Sequence, residues 1–321
     1  MCEPVHKKFE VVRLVAIRKD VLAQLGKSQV VNLPKLWRTE SDRAHQLFRS
    51  AQRIYCRSFP EEERESGRVV HGYINDEVAG ENHPDSFNYL VAMKAGRVVG
   101  MSSFDVLTSG EIPLTFWGYV ATAESVRRTG VATELVSAMV AESEAHCASV
   151  GSALRSFFLE VEKPDFSSDE MRNVARPAFH HTRSGAGAMI VVDHSGKPHL
   201  VYYAQPGMEQ TASGRTANRV ELLPVVSLVE AGVQVPFDIE PNTVIQSGRL
   251  VSGTSGLPVL SAETALGIVK TIMGSYGETY DFAAKQIAAI LRSVEKSLDR
   301  SRNGSVYVVP ILDTRTLEFE R

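Results

Sequence analysis

Three short stretches of this sequence carry residue types that could do chemistry. The first is R-R-T-G-V-A at 127–132, where two arginines and a glycine come directly before an apolar, helix-like pattern. The second places two carboxylates, Glu160 and Glu162, at alternate positions of an apolar run. The third is a histidine pair that ends with His181. The first stretch suits an anion, and the other two suit proton transfer.

The R-R-T-G-V-A stretch lies where a helix is predicted to begin. The first turn of a helix has N–H groups without partners and a partial positive charge, so a pyrophosphate there receives several hydrogen bonds. Gly130 lacks Cβ and Ala132 is small, which allows close approach of the backbone, and Arg127 and Arg128 add positive charge. By itself, the stretch fits a solvated loop with a turn glycine equally well.

The two glutamates share one face of a predicted strand, because alternate residues of a strand point to the same side. Glu160 or Glu162 could act as a base or bind the cation of an acceptor, and a solvent-facing charged pair is the alternative. Asp105, on an earlier predicted strand, is a third acid of this kind. His181 could donate a proton near neutral pH, and the alternative is a surface histidine at a helix end.

The elements that must position these residues do not alternate regularly between strand and helix. Periodicity and turn residues predict, in order, helices at 41–59 and 69–78, a β-hairpin that turns at 95–96, a strand at 113–122, a helix at 129–151, a strand at 156–164, a helix at 167–179 and two strands within 188–204. This order predicts a mixed α/β (α+β) fold and argues against a doubly wound nucleotide-binding fold.

Changes in residue composition and periodicity divide the chain into three predicted parts. We expect an N-terminal arm at 1–30, a core at 31–205 and a C-terminal α/β extension at 206–321, which begins with a polar, small-residue segment. The extension contains a predicted strand, two helices and a closing strand. The apolar spacing of its second helix suits a core or an interface between copies of the chain equally well, so a homo-oligomer stays open.

Composition narrows the function classes. The 321 residues are 43% hydrophobic and 23% charged with a net charge of −3, which is typical of a globular protein and argues against nucleic acid as a partner. Three scattered cysteines without a C-x-x-C pair indicate a reducing compartment, so we expect a cytoplasmic protein. The histidines lack metal-ligand spacing, so no metal site is predicted. No apolar leader and no apolar run of about 18 residues are present, so neither a signal peptide nor a membrane span is expected.

The motif and the element order together resemble the GCN5-related N-acetyltransferase (GNAT) superfamily over roughly residues 31–205. Arg127, Gly130 and Ala132 match the acyl-CoA-binding pattern [Q/R]-x-x-G-x-[G/A] of that family. The resemblance implies a mixed, mostly antiparallel central sheet flanked by helices. It also implies acetyl-CoA or another acyl-CoA as co-substrate.

The resemblance implies roles for single residues as well. The pantetheine arm would pair with the fourth strand near Tyr119, Val120 and Ala121. The acceptor would enter where this strand and the 157–162 strand splay apart. Many family members have a tyrosine that acts as the general acid, and His181, within H-H-T-R-S-G-A, occupies the matching position here. The pyrophosphate would bind the amides of Arg128, Thr129, Gly130, Val131, Ala132 and Thr133.

Two functions follow from this resemblance. The first is an N-acyltransferase that moves an acetyl or other short acyl group to a primary amine of a small molecule or peptide, by direct attack in a ternary complex. The second is a non-catalytic acyl-CoA-binding sensor or scaffold, which the departure at His181 favours.

Overall fold

The computed structural model describes ten segments of the chain, which are residues 28–61, 64–80, 84–162, 186–204, 221–230, 233–234, 245–246, 249–250, 259–279 and 284–309. The described helices are α1 (Leu33–Trp37), α2 (Ser41–Ser58), α3 (Gly67–Ala79), α4 (Val131–Ser149), α5 (Ala262–Thr279) and α6 (Ala284–Leu298). The first five strands are β1 (Gln29–Asn32), β2 (Ser86–Lys94), β3 (Arg97–Leu107), β4 (Leu114–Thr122) and β5 (Ser156–Glu162).

Nine further strands follow. They are β6 (Gly187–Val192), β7 (Pro198–Leu200), β8 (Tyr203–Ala204), β9 (Glu221–Glu230), β10 (Val233–Gln234), β11 (Ile245–Gln246), β12 (Arg249–Leu250), β13 (Val259–Ser261) and β14 (Ser305–Val309). The helices and strands that the sequence predicts in the described ranges are present. The helix predicted at 167–179 lies outside the described residues.

One large sheet runs through the protein in the order β1-β2-β3-β4-β5-β9-β6-β14-β13, and β7, β8 and β10 pair beside this path. Among the described pairs, β4 and β5 are parallel and every other pair is antiparallel. This confirms the predicted mixed, mostly antiparallel sheet flanked by helices. No described helix is long and apolar enough to cross a membrane.

Local sequence explains the hairpin that begins the sheet. Ala95 and Gly96 both have positive φ, at 48° and 73°, between β2 and β3. Two consecutive left-handed residues make a turn whose twist matches that of paired strands, and glycine adopts this conformation without steric cost. The turn therefore pairs Lys94 with Arg97, and beyond a register shift between Ala92 and Met93 the strands carry Asp105 opposite Phe87.

The two faces of the sheet have different covers. Leu135, Val136 and Met139 of α4 pack with Phe104 and Phe157 on one side, which we call the α4 face. The side away from it, the opposite face, has two separate covers. Helices α2 and α3 cover its β2–β3 end, and α5 and α6 cover its β5–β14 end.

The C-terminal third of the chain contributes to this same sheet. Strand β9 lies between β5 and β6, and β14 extends the sheet beyond β6. The first 27 residues of the predicted N-terminal arm lie outside the described part of the chain. The boundaries proposed at residues 30 and 205 stay predictions, while strands from both sides of residue 205 share one hydrogen-bonded sheet.

Candidate active site

The start of α4 is uncapped and follows two left-handed residues, and we call residues 127–133 the cradle. Gly130, directly before the helix, has φ of 91°, and no described side chain caps the helix. Two residues earlier, Arg128 also has positive φ, at 66°. Glu134 N–H donates to the carbonyl of Gly130 at 3.0 Å, so the N–H groups of residues 131–133 lie in the turn that precedes the first intrahelical bond.

The two arginines of the motif contribute side chains at the surface. Arg127 and Arg128 are both exposed, and neither forms an ion pair with a described residue. Thr129 is held by its own loop, because its hydroxyl donates to the carbonyl of Val126 at 2.7 Å. The cradle is therefore a hydrogen-bonded loop beside two arginines that have no ion-pair partner in the described part of the chain.

Strands β4 and β5 pair only over their first halves. Their last paired residues are Trp117 and Leu159. Beyond these residues β4 continues along β3, while β5 continues along β9. The two neighbouring strands thus splay apart at the end of β4 that leads to the cradle.

A bulge in β4 coincides with the splay. The β3–β4 register shifts between Ser103 and Phe104, which leaves Gly118 without a partner on β3. Past the bulge, Ala123 N–H donates to Val99 of β3 at 2.8 Å. Because N–H groups alternate between the two edges of a strand, Val120 presents its N–H and carbonyl to the open edge, and Tyr119 and Ala121 face β3.

Glu160 is the first residue of β5 beyond the last β4 pair. It is partly buried, and the Tyr276 hydroxyl donates to one carboxylate oxygen at 2.7 Å, while the Tyr203 hydroxyl donates to the other. Burial raises the pKa of Glu160, and the two hydroxyl donors oppose that rise. Both oxygens of this carboxylate are therefore occupied by tyrosines, from β8 and from α5.

Asp105 lies on the same face of the sheet as Glu160. Its strand neighbours pack on the α4 face, so its own side chain points to the opposite face, where Phe87 and Phe116 flank it across the strands. It is partly buried and accepts no hydrogen bond from a described residue. Burial raises the pKa of Asp105 to about 8, and the negative charges of Glu65, Asp85 and Glu77 add to the rise.

Aromatic rings surround the splay on this face. The ring of Tyr119 lies 4.9 Å from that of Tyr55, in α2, and 5.0 Å from that of Phe59, directly after α2. On the other side, the rings of Phe116 and Tyr276 lie 6.0 Å apart. Aromatic rings therefore lie on both sides of β4 on this face.

The structure brings some predicted site residues together and leaves others apart. Tyr119 to Ala121 and the cradle lie on the same continuous loop and strand end, and Glu160 faces the splay. Glu162 is the last residue of β5, opposite Leu222. His181 lies outside the described residues. The roles of Glu162 and His181 stay predictions.

Sequence reasoning did not find Tyr276. Its contact with Glu160 joins residues 116 positions apart, and no local pattern marks it. For Asp105 a signal was present, since it is an acid inside an otherwise apolar strand, but only the sheet register shows what it faces.

A comparison with protein families gives a match to the acetyltransferase (GNAT) family over residues 45–171. A putative GNAT-family acetyltransferase from Bacteroides thetaiotaomicron is 18% identical, covers 62% of this chain and 85% of its own, and has a TM-score of 0.40. Ribosomal-protein-S18-alanine N-acetyltransferase from Escherichia coli is 12% identical, covers 67% and 97%, and has a TM-score of 0.35.

Ribosomal-protein-alanine N-acetyltransferase from Brucella melitensis is 16% identical, covers 63% of this chain and 99% of its own, and has a TM-score of 0.36. No curated protein sequence matches the chain. The segment matched by the family includes β4, the cradle, Asp105 and Glu160. It ends before Tyr203 and Tyr276, so both hydroxyl donors to Glu160 come from outside it.

Proposed function

Because this chain belongs to the GNAT acetyltransferase family through residues 45–171, we propose that it transfers an acetyl or other short acyl group from acyl-CoA to a primary amine of a small molecule or peptide. The observation that carries the proposal is the splay between β4 and β5, which opens beside an uncapped helix start headed by Gly130. The composition supports a cytoplasmic setting for this reaction.

The cradle would hold the acyl-CoA pyrophosphate. The amides of residues 128–133 would supply hydrogen bonds, although the Thr129 N–H already donates to the Val126 carbonyl at 3.3 Å, and the left-handed conformations of Arg128 and Gly130 shape the loop. The pantetheine arm would extend along residues 119–121, where the open-edge N–H and carbonyl of Val120 are available to an amide. Arg127 and Arg128 would add attraction through charge.

The chemistry needs a neutral amine and a stabilised oxyanion. The amine nitrogen attacks the thioester carbon, negative charge develops on the carbonyl oxygen, and the C–S bond then breaks. We assign the oxyanion to the N–H of Val120, since it faces the splay. Glu160 would attract the cationic acceptor from the opposite face. Glu162 would be a second carboxylate of this kind, and His181 would donate a proton to the departing thiolate.

The alternative is an acyl-CoA-binding protein without turnover. The observation that favours it is His181, which stands where the family motif has the tyrosine that acts as the general acid. Both functions require the cradle, so they share a first experiment and differ in the second.

The first experiment is a thermal-shift series with acetyl-CoA, longer acyl-CoAs and CoA. A ligand that binds the folded chain raises its melting temperature in proportion to its binding free energy, so we expect a rise with at least one of them. The absence of any shift would contradict both functions. The second experiment measures CoA thiol release with a panel of alkylamines and peptide amines. Release identifies an enzyme, and binding without release across the panel identifies the sensor.

A further inference from the structure

We propose that Asp105 receives the ammonium group of the acceptor and takes its proton, so that a residue of β3 serves as the base of the reaction. This inference rests on the acyltransferase function proposed above. It assigns the proton acceptor within that site, a role that the sequence reasoning left open between carboxylates.

The register of the sheet places Asp105 beside the splay. Asp105 pairs across to Phe116 on β4, and Phe116 pairs across to Phe158 on β5. Glu160 lies two residues beyond Phe158 and points to the same face. With a strand spacing of about 4.8 Å, the backbones at Asp105 and Glu160 are roughly 10 to 12 Å apart, with Phe116 between them. The two acids therefore lie on the same face of the sheet, on opposite sides of Phe116.

Asp105 lies between the two helical covers, and its side chain is partly exposed. Phe87, on one side of Asp105, packs with the cluster under α2 and α3. Phe116, on the other side, packs with the cluster under α5 and α6. Asp105 thus lies where one cover ends and the other begins, which is where an acceptor could approach the sheet from the opposite face.

Of the two acids, Asp105 is the one with free oxygens. Both oxygens of Glu160 accept tyrosine hydroxyls, so a proton or an ammonium group must displace a hydrogen bond to reach them. The carboxylate of Asp105 accepts no hydrogen bond from any described residue. Glu160 therefore binds the two tyrosine hydroxyls, and Asp105 is the acid that we assign to the ligand.

The charges around Asp105 favour a cation. Glu65 before α3, Glu77 of α3 and Asp85 before β2 all act on it, and none of the described lysines or arginines forms an ion pair with it. From the β5 and α5 side, Glu160 and Tyr276 point to this face and add no positive charge, and Lys270 of α5 pairs with Glu111 at 3.9 Å. Among the described residues this carboxylate has no positive partner, so an arriving ammonium group would supply one.

The proposed step balances as follows. The ammonium proton moves to Asp105, which gives a neutral amine and a protonated carboxyl group. The amine nitrogen then bonds to the thioester carbon, and the intermediate loses a second nitrogen-bound proton as the C–S bond breaks. That proton ends on the CoA sulfur, and Asp105 returns the first proton to water. The pKa of about 8 suits a base that works near neutral pH.

The test compares Asp105→Asn with Glu111→Gln, which removes one negative charge from the same β3–β4 hairpin at an exposed position. With the most active alkylamine of the panel at pH 7, we expect Asp105→Asn to lower kcat/KM by about 10²- to 10³-fold. We expect the control to stay within about twofold. The wild-type pH profile should rise and level off above about pH 8, whereas that of Asp105→Asn should keep rising with pH as the neutral alkylamine accumulates.

Methoxyamine separates proton removal from a structural effect. Its ammonium form is far more acidic than an alkylammonium, so it is neutral at pH 7 and needs no base. We expect Asp105→Asn to acylate methoxyamine at nearly the wild-type rate, and Asp105→Glu to recover part of the alkylamine rate. An equal loss with both nucleophiles, or no loss with either, would overturn the proposal.

The failure of this inference can be told from that of the proposed function. If Asp105→Asn keeps wild-type alkylamine turnover, the base is another residue and the acyltransferase stands. If the wild-type protein releases no CoA with any amine, the acyltransferase fails and takes the assigned base with it. A melting-temperature shift by acyl-CoA equal to that of the wild type shows that the variant is folded and its cradle intact.

Discussion

The cradle and the acidic floor, by which we mean Asp105 and Glu160, are built in opposite ways. The cradle is one loop of consecutive residues, and the anion binding proposed for it would depend on backbone N–H groups placed by left-handed conformations at Arg128 and Gly130. The acidic floor takes its two carboxylates from different strands. Glu160 depends on a tyrosine that lies 43 residues later in the chain and another that lies 116 residues later. A local backbone site can be recognised in a sequence, whereas a site of side chains depends on the whole fold.

The largest effect should come from a charge placed in the cradle. We expect Gly130→Glu to abolish acyl-CoA binding, because the carboxylate would meet the pyrophosphate and like charges in contact cost several kcal/mol, or more than about 100-fold in affinity. The measurement is the thermal shift with acetyl-CoA, supported by calorimetry.

The matched control is Gly151→Glu near the end of the same helix. Gly151 also has positive φ, at 71°, and open space where a Cβ would lie. Both variants place a side chain at a positive φ and add the same charge, so loss of acetyl-CoA binding is what should separate them. If Gly130→Glu binds acetyl-CoA as tightly as Gly151→Glu does, the cradle lies elsewhere.

The same contrast explains how far the sequence could predict the site. The helix start, the β2–β3 turn and the alternation of Glu160 with apolar neighbours are local patterns, and each of these elements is where the sequence predicts it. The position of β9 between β5 and β6 is not local. Hydrophobic periodicity identifies a strand or helix but does not say which part of the sheet it joins. The contact of Tyr276 with Glu160 therefore could not be predicted from the sequence.

On the acidic floor, stability should depend on pH through Asp105. Its pKa is raised from 3.8 to about 8 in the folded chain. Between these values the unfolded chain is ionised and the folded chain holds the proton, so stability is full below about pH 4 and falls until about pH 8. Asp105→Asn should remove this loss and unfold at higher denaturant concentration than the wild type at pH 8.

The size of this gain follows from the shift. One pKa unit corresponds to about 1.4 kcal/mol, so the whole shift sets an upper bound of ~6 kcal/mol. Because Asp105 is partly exposed, solvent relieves some of the cost, and we expect ~2 to 3 kcal/mol at pH 8. Urea unfolding at pH 5 and pH 8 gives both values. Equal stabilities of the two proteins at pH 8 would mean that Asp105 ionises without cost.

A smaller effect on stability should appear at Glu160, the second acid of the acidic floor. Tyr276→Phe removes a donor to Glu160 and should lower stability by about 1 to 2 kcal/mol at pH 7. Losing the donor raises the pKa of Glu160 further, so the loss should shrink at low pH, where this carboxyl is protonated. The same substitution in a Glu160→Gln background should cost less, and a double-mutant cycle without coupling would contradict the contact.

The smallest effect should come from the arginines of the cradle, and it makes the contrast with the floor sharpest. Arg127→Ala should weaken acetyl-CoA binding by less than about fivefold at low salt and less still at high salt, because exposed charges are screened. Arg128→Gly should show the same small loss and also unfold at higher temperature, since glycine relieves a left-handed conformation that costs about 1 kcal/mol. Arg155→Ala, at an exposed position before β5, serves as the charge control. A 100-fold loss in either cradle variant would show that the arginine side chains themselves hold the phosphates, and the cradle would then depend on side chains as the acidic floor does.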